Sequence, residues 1–195
     1  MLSASLINIA VVSLLSLNGP GALPSGHLLA THSISLENRH PNRYNNEVYK
    51  YNILLNLSYM GDEFTLKPGE AFAFHEDVLP QYEGTVIKNT SAHFNAQEGF
   101  KSDGYLVGNG VCHLASLINM AAKQANLNTY VPANHNFAPI PEISKEYGVS
   151  IYSYPGRKLA NAQRNLYVTN NRQNPVTFKF SYNNGNLSLS VSEVQ

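Results

Sequence analysis

Gly108-Asn109-Gly110-Val111-Cys112-His113-Leu114-Ala115-Ser116-Leu117-Ile118-Asn119-Met120-Ala121-Ala122 is the stretch whose reading sets the fold. Leu114, Leu117, Ile118, Ala121, Ala122 and Ala125 repeat at three-and-four spacing, the pattern of a helix with one buried face. The glycines ahead of it permit a sharp turn and let a substrate approach the backbone. Cys112, the only cysteine among 195 residues, stands where turn becomes helix. A helix start offers unpaired backbone N–H groups and the positive end of the helix dipole, and both favour a thiolate over a thiol. Cys112 is therefore the candidate reactive atom. The competing expectation is a small packed hydrophobe, the ordinary role of a free cysteine.

Working outward, a second helix is expected from about Asn46 to Met60. Val48, Tyr51, Leu54, Leu55 and Tyr59 share one face there, and Asn45 or Asn46 is placed to cap it. Gly61-Asp62 then turns into the strand-like Phe64-Thr65-Leu66, and Lys67-Pro68-Gly69-Glu70 turns into Phe72-Ala73-Phe74. After the Cys112 helix, Thr129-Tyr130-Val131 reads as a strand leading to His135, while Pro139 and Pro141 exclude a helix beyond it. Leu166-Tyr167-Val168 precedes two alternating runs, Val176 to Tyr182 and Leu187 to Val191, around Asn183-Asn184-Gly185-Asn186. That is a β-hairpin signal. The expected class is α+β, with small antiparallel sheets packed around a central helix that begins at the cysteine and a C-terminal β-hairpin.

Lys plus Arg equals Asp plus Glu at 13 each, and no basic run exists to neutralise phosphates, so a dedicated nucleic-acid binder is not expected. One cysteine cannot form an internal disulfide, which leaves the redox compartment open. Twelve tyrosines, eight phenylalanines and no tryptophan, with many asparagines and serines, suit an exported domain with polar ligands. The first 36 residues hold no Asp, Glu, Lys or Arg, and Leu6 to Leu17 is nearly all apolar before Asn18-Gly19-Pro20-Gly21. Residues 1–30 thus read as a signal peptide or membrane-anchor remnant, short for a span of about 20 residues, and residues 31–195 as the folded domain. A buried helix is the alternative for that segment.

A nucleophilic thiol needs a base within hydrogen-bond reach. Of seven histidines (27, 32, 40, 75, 93, 113 and 135), His113 neighbours the cysteine in sequence but points elsewhere on a helix start. His135 follows the strand after the Cys112 helix and has a route back to the helix start. His75, with Phe74 before it, and Gly108 and Asn109 are the candidate walls of a substrate cleft. No metal site is expected, because the histidines lack HxxxH or HExxH spacing and there is one thiolate.

The stretch from about His32 to Thr169 resembles the VanW domain of bacterial cell-envelope proteins. The family's Gly-Gly-Gly-Ile-Cys-Gln run opening a helix is matched by Gly108 to His113. Its Pro-Gly-Glu turn and Phe-Ser-Phe strand are matched by Pro68-Gly69-Glu70 and Phe72-Ala73-Phe74, and its His-Ser pair by His135-Asn136 ahead of Pro139. Upstream, Ser33 to Arg39 and Asn52-Ile53 resemble its opening segment. Asn109, His113 and Asn136 depart from the pattern, as do Val149-Ser150-Ile151, where an aspartate is usual, and Asn165 in place of another. The resemblance implies an extracytoplasmic role, secreted or membrane-anchored, with L,D-transpeptidase-like acyl transfer on peptidoglycan stem peptides. Cys112 would form the thioester and His135 would serve as general base. Backbone N–H groups from Gly110 and Val111 to His113 would hold the oxyanion, Asn134 or Asn136 would orient the imidazole, and no cofactor is required. A thiol amidase on wall peptides, or a catalytically silent binding module with Cys112 merely packed, are the other classes this sequence admits.

Overall fold

Short, turn-punctuated apolar runs fold into two small sheets on either side of one helix. The computed structural model describes residues 26–85 and 87–194, so residues 1–25 of the expected N-terminal segment lie outside them, while residues 27–30, counted with that segment, belong to the first strand. Chain order is β1 (His27–Ser35), α1 (Arg43–Met60), β2 (Glu63–Leu66), β3 (Ala71–Ala73), β4 (Ile87–Lys88), α2 (Val111–Gln124), β5 (Asn128–Tyr130), α3 (Lys158–Ala162), β6 (Tyr167–Thr169), β7 (Val176–Asn183) and β8 (Asn186–Glu193). Among the described residues no helix is long and apolar enough to cross a membrane.

The first sheet has the order β1-β8-β7-β2 and is antiparallel throughout. Its centre is the expected hairpin, in which Asn183 faces Asn186 across Asn184-Gly185. Both turn residues have positive φ, 49° and 78°, as a two-residue turn matched to strand twist requires. Val176, Phe178 and Phe180 alternate inward, and so do Leu187, Leu189 and Val191. The second sheet has the order β4-β3-β6-β5, and its one parallel pairing is the short β3–β4 contact. Phe64 of β2 stacks at 4.7 Å on both Phe178 of β7 and Phe72 of β3, which joins the two sheets through one aromatic column.

α2 lies against β1, β8, β5 and α1. It is buried almost all round, with Leu114, Leu117, Ile118, Ala121 and Ala122 all at zero exposure, as a helix at the centre of a domain must be. α1 departs from expectation in two ways. It starts at Arg43, because Asn42 rather than Asn45 or Asn46 supplies the cap, accepting from the Asn45 N–H at 3.1 Å. Asn46 is buried instead, accepts from the backbone N–H of Arg39 and His40, and donates to the Leu36 carbonyl. Secondly, its buried face is Asn46, Val48, Asn52, Ile53 and Asn56, while Tyr51 and Tyr59 face outward. Asn46 and Asn52 occupy core positions there because they bind backbone groups that have no ladder partner, whereas the buried amide of Asn56 has no partner among the described residues.

Candidate active site

The start of α2 is pressed against α1. Gly110 has φ 104°, and a Cβ there would lie 2.7 Å from the Tyr49 carbonyl oxygen and 2.9 Å from Tyr49 Cα. Gly108, at φ 85°, would place a Cβ 3.0 Å from Phe94 Cβ. Only glycine satisfies both the left-handed backbone and the close approach. Between them the carbonyl of Asn109 accepts from Asn52 Nδ2 at 2.9 Å, and the Asn109 amide donates to Asp103 at 3.0 Å. Asn52 also exchanges two hydrogen bonds with the backbone of Lys101, so one buried asparagine of α1 ties down both ends of the 101–109 loop.

Inside the turn, Val111 N–H donates to the Gly108 carbonyl and His113 N–H to that of Gly110. Val111 and His113 were expected to offer these amides to an oxyanion; both are spent locally. Among the described residues the N–H groups of Gly110 and Cys112 have no carbonyl partner, and that of Cys112 lies toward its own sulfur. The sulfur packs against Ile151, whose N–H points to Sγ at 3.4 Å and whose carbonyl oxygen lies 3.7 Å from it. Below it on the same helical face, Ser116 Oγ accepts from Val149 N–H at 2.9 Å and Asn119 Nδ2 donates to the Tyr147 carbonyl at 2.9 Å. Residues 112, 116 and 119 thus hold segment 147–151 along α2, following helical spacing. Burial pushes the Cys112 thiol above its ordinary pKa, opposed by the Ile151 backbone hydrogen bond and by the residue's own amide. Burial thus opposes the thiolate that a helix start favours, and it outweighs the hydrogen bonds at the sulfur.

His135 is buried and opens on the same cleft as Cys112. Its Nδ1 lies 3.2 Å from the Ala138 carbonyl, which can only accept, so Nδ1 carries the proton and Nε2 is left as the basic nitrogen. The ring packs at 4.0 Å on Phe137 and edge-on at 6.0 Å to His113. Burial lowers its pKa. His113, buried with no partner on Nδ1, is pushed down to about 3 by burial first and then by the positive charge of Arg39. Both rings are therefore neutral at physiological pH. Neither Asn134 nor Asn136 orients His135: Asn134 Nδ2 donates to the Lys145 carbonyl, and Asn136 is exposed. A backbone carbonyl holds the tautomer instead.

The cleft encloses about 1070 Å³, and Cys112, His113 and His135 line it together with Gly108, Asn109, Gly110 and Val111. Phe74 and His75, expected to line it, do not. Phe74 is fully buried beside β3, and His75 donates through Nε2 to the Arg164 carbonyl while Asn165 Nδ2 donates to Nδ1. Asn165 also accepts from the N–H of Phe74 and Leu166 and donates to the carbonyls of His75 and Asp77. His75 is thus part of a structural knot. Tyr49, Phe137, Ile151 and the Ala138 carbonyl, by contrast, are site groups that carry no signal in the sequence. The last two act through main-chain atoms, which every residue type possesses. Arg39 lines the cleft as well, with its guanidinium fully buried and paired with Glu142, a residue at φ 63° in the turn that follows Ala138.

The family model described as VanW like protein matches residues 50–192, well over half of the chain, and this span includes the glycine turn, Cys112, His135 and Ile151. No curated protein and no solved structure matches the chain. With its cysteine at the start of a buried central helix and its ordered motifs along that span, the chain belongs to the VanW-like family, which is associated with the bacterial cell envelope.

Proposed function

We propose that this protein is a cell-wall-modifying cysteine acyltransferase of the L,D-transpeptidase kind. The observation that carries the reading is the shared cleft: Cys112 and His135 both open on it, and His135 is fixed by Ala138 with Nε2 free to accept a proton. The thiol proton passes to Nε2 as sulfur attacks the amide carbonyl after the third residue of a donor stem peptide. Cys112 N–H is the donor for the resulting oxyanion. The C–N bond breaks, and terminal D-alanine leaves with the proton from the imidazolium. An acceptor amine then attacks the thioester, gives its proton to His135, and the thiol returns as the new amide forms.

The second reading, a wall-binding module without chemistry, is favoured by the sulfur's hydrogen bonds, which run to Ile151 rather than to an imidazole among the described residues. Incubation with tetrapeptide-containing muropeptides, followed by mass analysis, separates the two. A cross-linked dimer formed with loss of D-alanine, and absent in Cys112→Ala, is the expected product. Trimmed tripeptide alone assigns the protein as a thiol amidase. No product of either kind, with the chain shown to be folded, refutes the enzyme reading and leaves the module.

A further inference from the structure

Three solvent-facing rings stand around the mouth of the cleft. Tyr105 is 92% exposed, Phe137 72% and Tyr154 52%, and all three belong to its lining. Each comes from a different loop that also supplies a site group. Tyr105 lies on the loop that leads to the glycine turn, Phe137 two residues after His135, and Tyr154 three after Ile151. Large exposed rings converging on one cleft mark a ligand surface, because a folded chain otherwise buries them. Tyr154 is braced by stacking on Tyr152 at 5.4 Å and by Arg157 on its face, so its orientation is held without a ligand.

The chemistry of the wall narrows the ligand. Among the described residues Glu37 and Arg39 are the only Asp, Glu, Lys or Arg side chains in the lining, and they are paired with Lys50 and Glu142 respectively. The amides of Asn38, Asn95, Gln97 and Asn109, the Ser153 and tyrosine hydroxyls and three imidazoles supply the remaining side-chain polarity, most of it from neutral amide and hydroxyl groups. The lining residues come from loops, a single-turn helix and the ends or face of α1 and α2, and none lies in a β-strand. An extended peptide therefore finds no strand edge to pair with along this cleft. Flat apolar faces interleaved with neutral hydroxyl and amide groups complement a pyranose ring, whose C–H faces are apolar and whose rim is hydroxylated.

We propose that Tyr105, Phe137 and Tyr154 form a binding platform for an uncharged glycan chain, which holds the substrate while the peptide it carries reaches Cys112. This deepens the cell-wall reading by assigning the glycan, rather than the stem peptide, as the part that is gripped. Its test is independent of that chemistry, because the Cys112→Ala chain is used. Chitotetraose, an uncharged four-sugar probe, is titrated against this chain by calorimetry, in parallel with tetra-alanine and with a leucine-rich neutral peptide. Saturable binding of chitotetraose is expected, with the Kd raised about three- to tenfold by each of Tyr105→Ala, Phe137→Ala and Tyr154→Ala, as loss of one ring contact implies. Circular dichroism establishes that the variants are folded, and a double variant weakened beyond either single one supports a shared platform. Binding of either peptide but not of chitotetraose overturns the proposal, as does chitotetraose binding that the three substitutions leave unchanged. Either result can occur whether or not the muropeptide reaction is observed, so the two readings fail separately.

Discussion

Substituting Gly110 by alanine tests whether α1 and the start of α2 are as close as the geometry requires. A Cβ at this position meets three backbone atoms of Tyr49, at 2.7, 2.9 and 3.1 Å. None is the tip of a side chain, so relief demands that one helix move against the other. Overpacking of this kind costs about 1–3 kcal/mol. The φ of 104° adds a separate penalty for a residue with a Cβ, about 1–3 kcal/mol. The expected loss is about 2–6 kcal/mol, a large part of the roughly 5–15 kcal/mol that stabilises a domain. At about 2–4 °C per kcal/mol for a chain of this length, Tm falls by about 5–20 °C.

Gly69→Ala is the matched control, since Gly69 also has positive φ (79°) but a Cβ there meets nothing within 4 Å. It carries the backbone penalty alone. Urea unfolding followed by far-ultraviolet circular dichroism gives both values, and equal m-values establish that the comparison is between like transitions. Gly110→Ala should exceed Gly69→Ala by about 1–3 kcal/mol. If the two variants agree within about 0.5 kcal/mol, the close approach of Tyr49 to the glycine turn is wrong, and the cleft floor is not built as described.

Three further expectations follow from buried polar groups. Glu142→Gln removes the counter-ion of the fully buried Arg39 guanidinium, and urea unfolding should register a loss of about 3 kcal/mol, because an uncompensated buried charge remains; no loss means the pair is solvated. Asn165→Asp turns a donor to the His75 and Asp77 carbonyls into an acceptor, costing about 2–5 kcal/mol near neutral pH, with the deficit shrinking as acid protonates the new carboxyl; a deficit independent of pH counts against this account. His113 has a folded pKa of about 3 against 6.5 unfolded, so the unfolded chain binds the extra proton in that window. Its contribution is complete above the unfolded value and is lost as pH falls, at up to about 1.4 kcal/mol per pH unit, and His113→Gln should flatten the fall in urea midpoint by that share. An unchanged slope would place the acid sensitivity elsewhere, on His75 or His135, which burial also shifts downward.

What could be read from the sequence divides along a physical line. The β7–β8 hairpin and the α2 start were legible because their causes are local: alternation, an Asn-Gly turn with positive φ, glycines before an apolar helix. The start of α1 was less so, since Asn42, Asn45 and Asn46 are all good capping residues and tertiary bonds decide which one serves. Its buried face escaped hydrophobic periodicity because Asn46, Asn52 and Asn56 occupy it. Asparagines that suggested a polar ligand prove in large part to be internal staples, as Asn52 and Asn165 show. Phe74 and His75 read as cleft residues at the end of a strand, but β3 is an interior strand between β4 and β6, which draws them into the core. The Ala138 carbonyl and the Ile151 N–H were invisible in principle, because main-chain groups have no residue code.

On the proposed reading, the two titrating members of the site are shifted by one cause in opposite directions. Burial raises the thiol and lowers the His135 imidazole, so the resting pair is neutral S–H and neutral ring. A separated thiolate and imidazolium in this enclosed floor would both be poorly solvated. Proton transfer is then favoured only when it accompanies bond formation, because negative charge leaves sulfur for the carbonyl oxygen as the C–S bond closes. On that reading the N–H of Cys112, which has no carbonyl partner, receives that charge, while Ile151 N–H serves the sulfur. Such a site is unreactive toward small electrophiles in its resting state and becomes nucleophilic against a carbonyl held in place. The division of labour makes a separate grip on the substrate necessary, and the exposed rings of Tyr105, Phe137 and Tyr154 lie where that grip would act, outside the buried pair they serve.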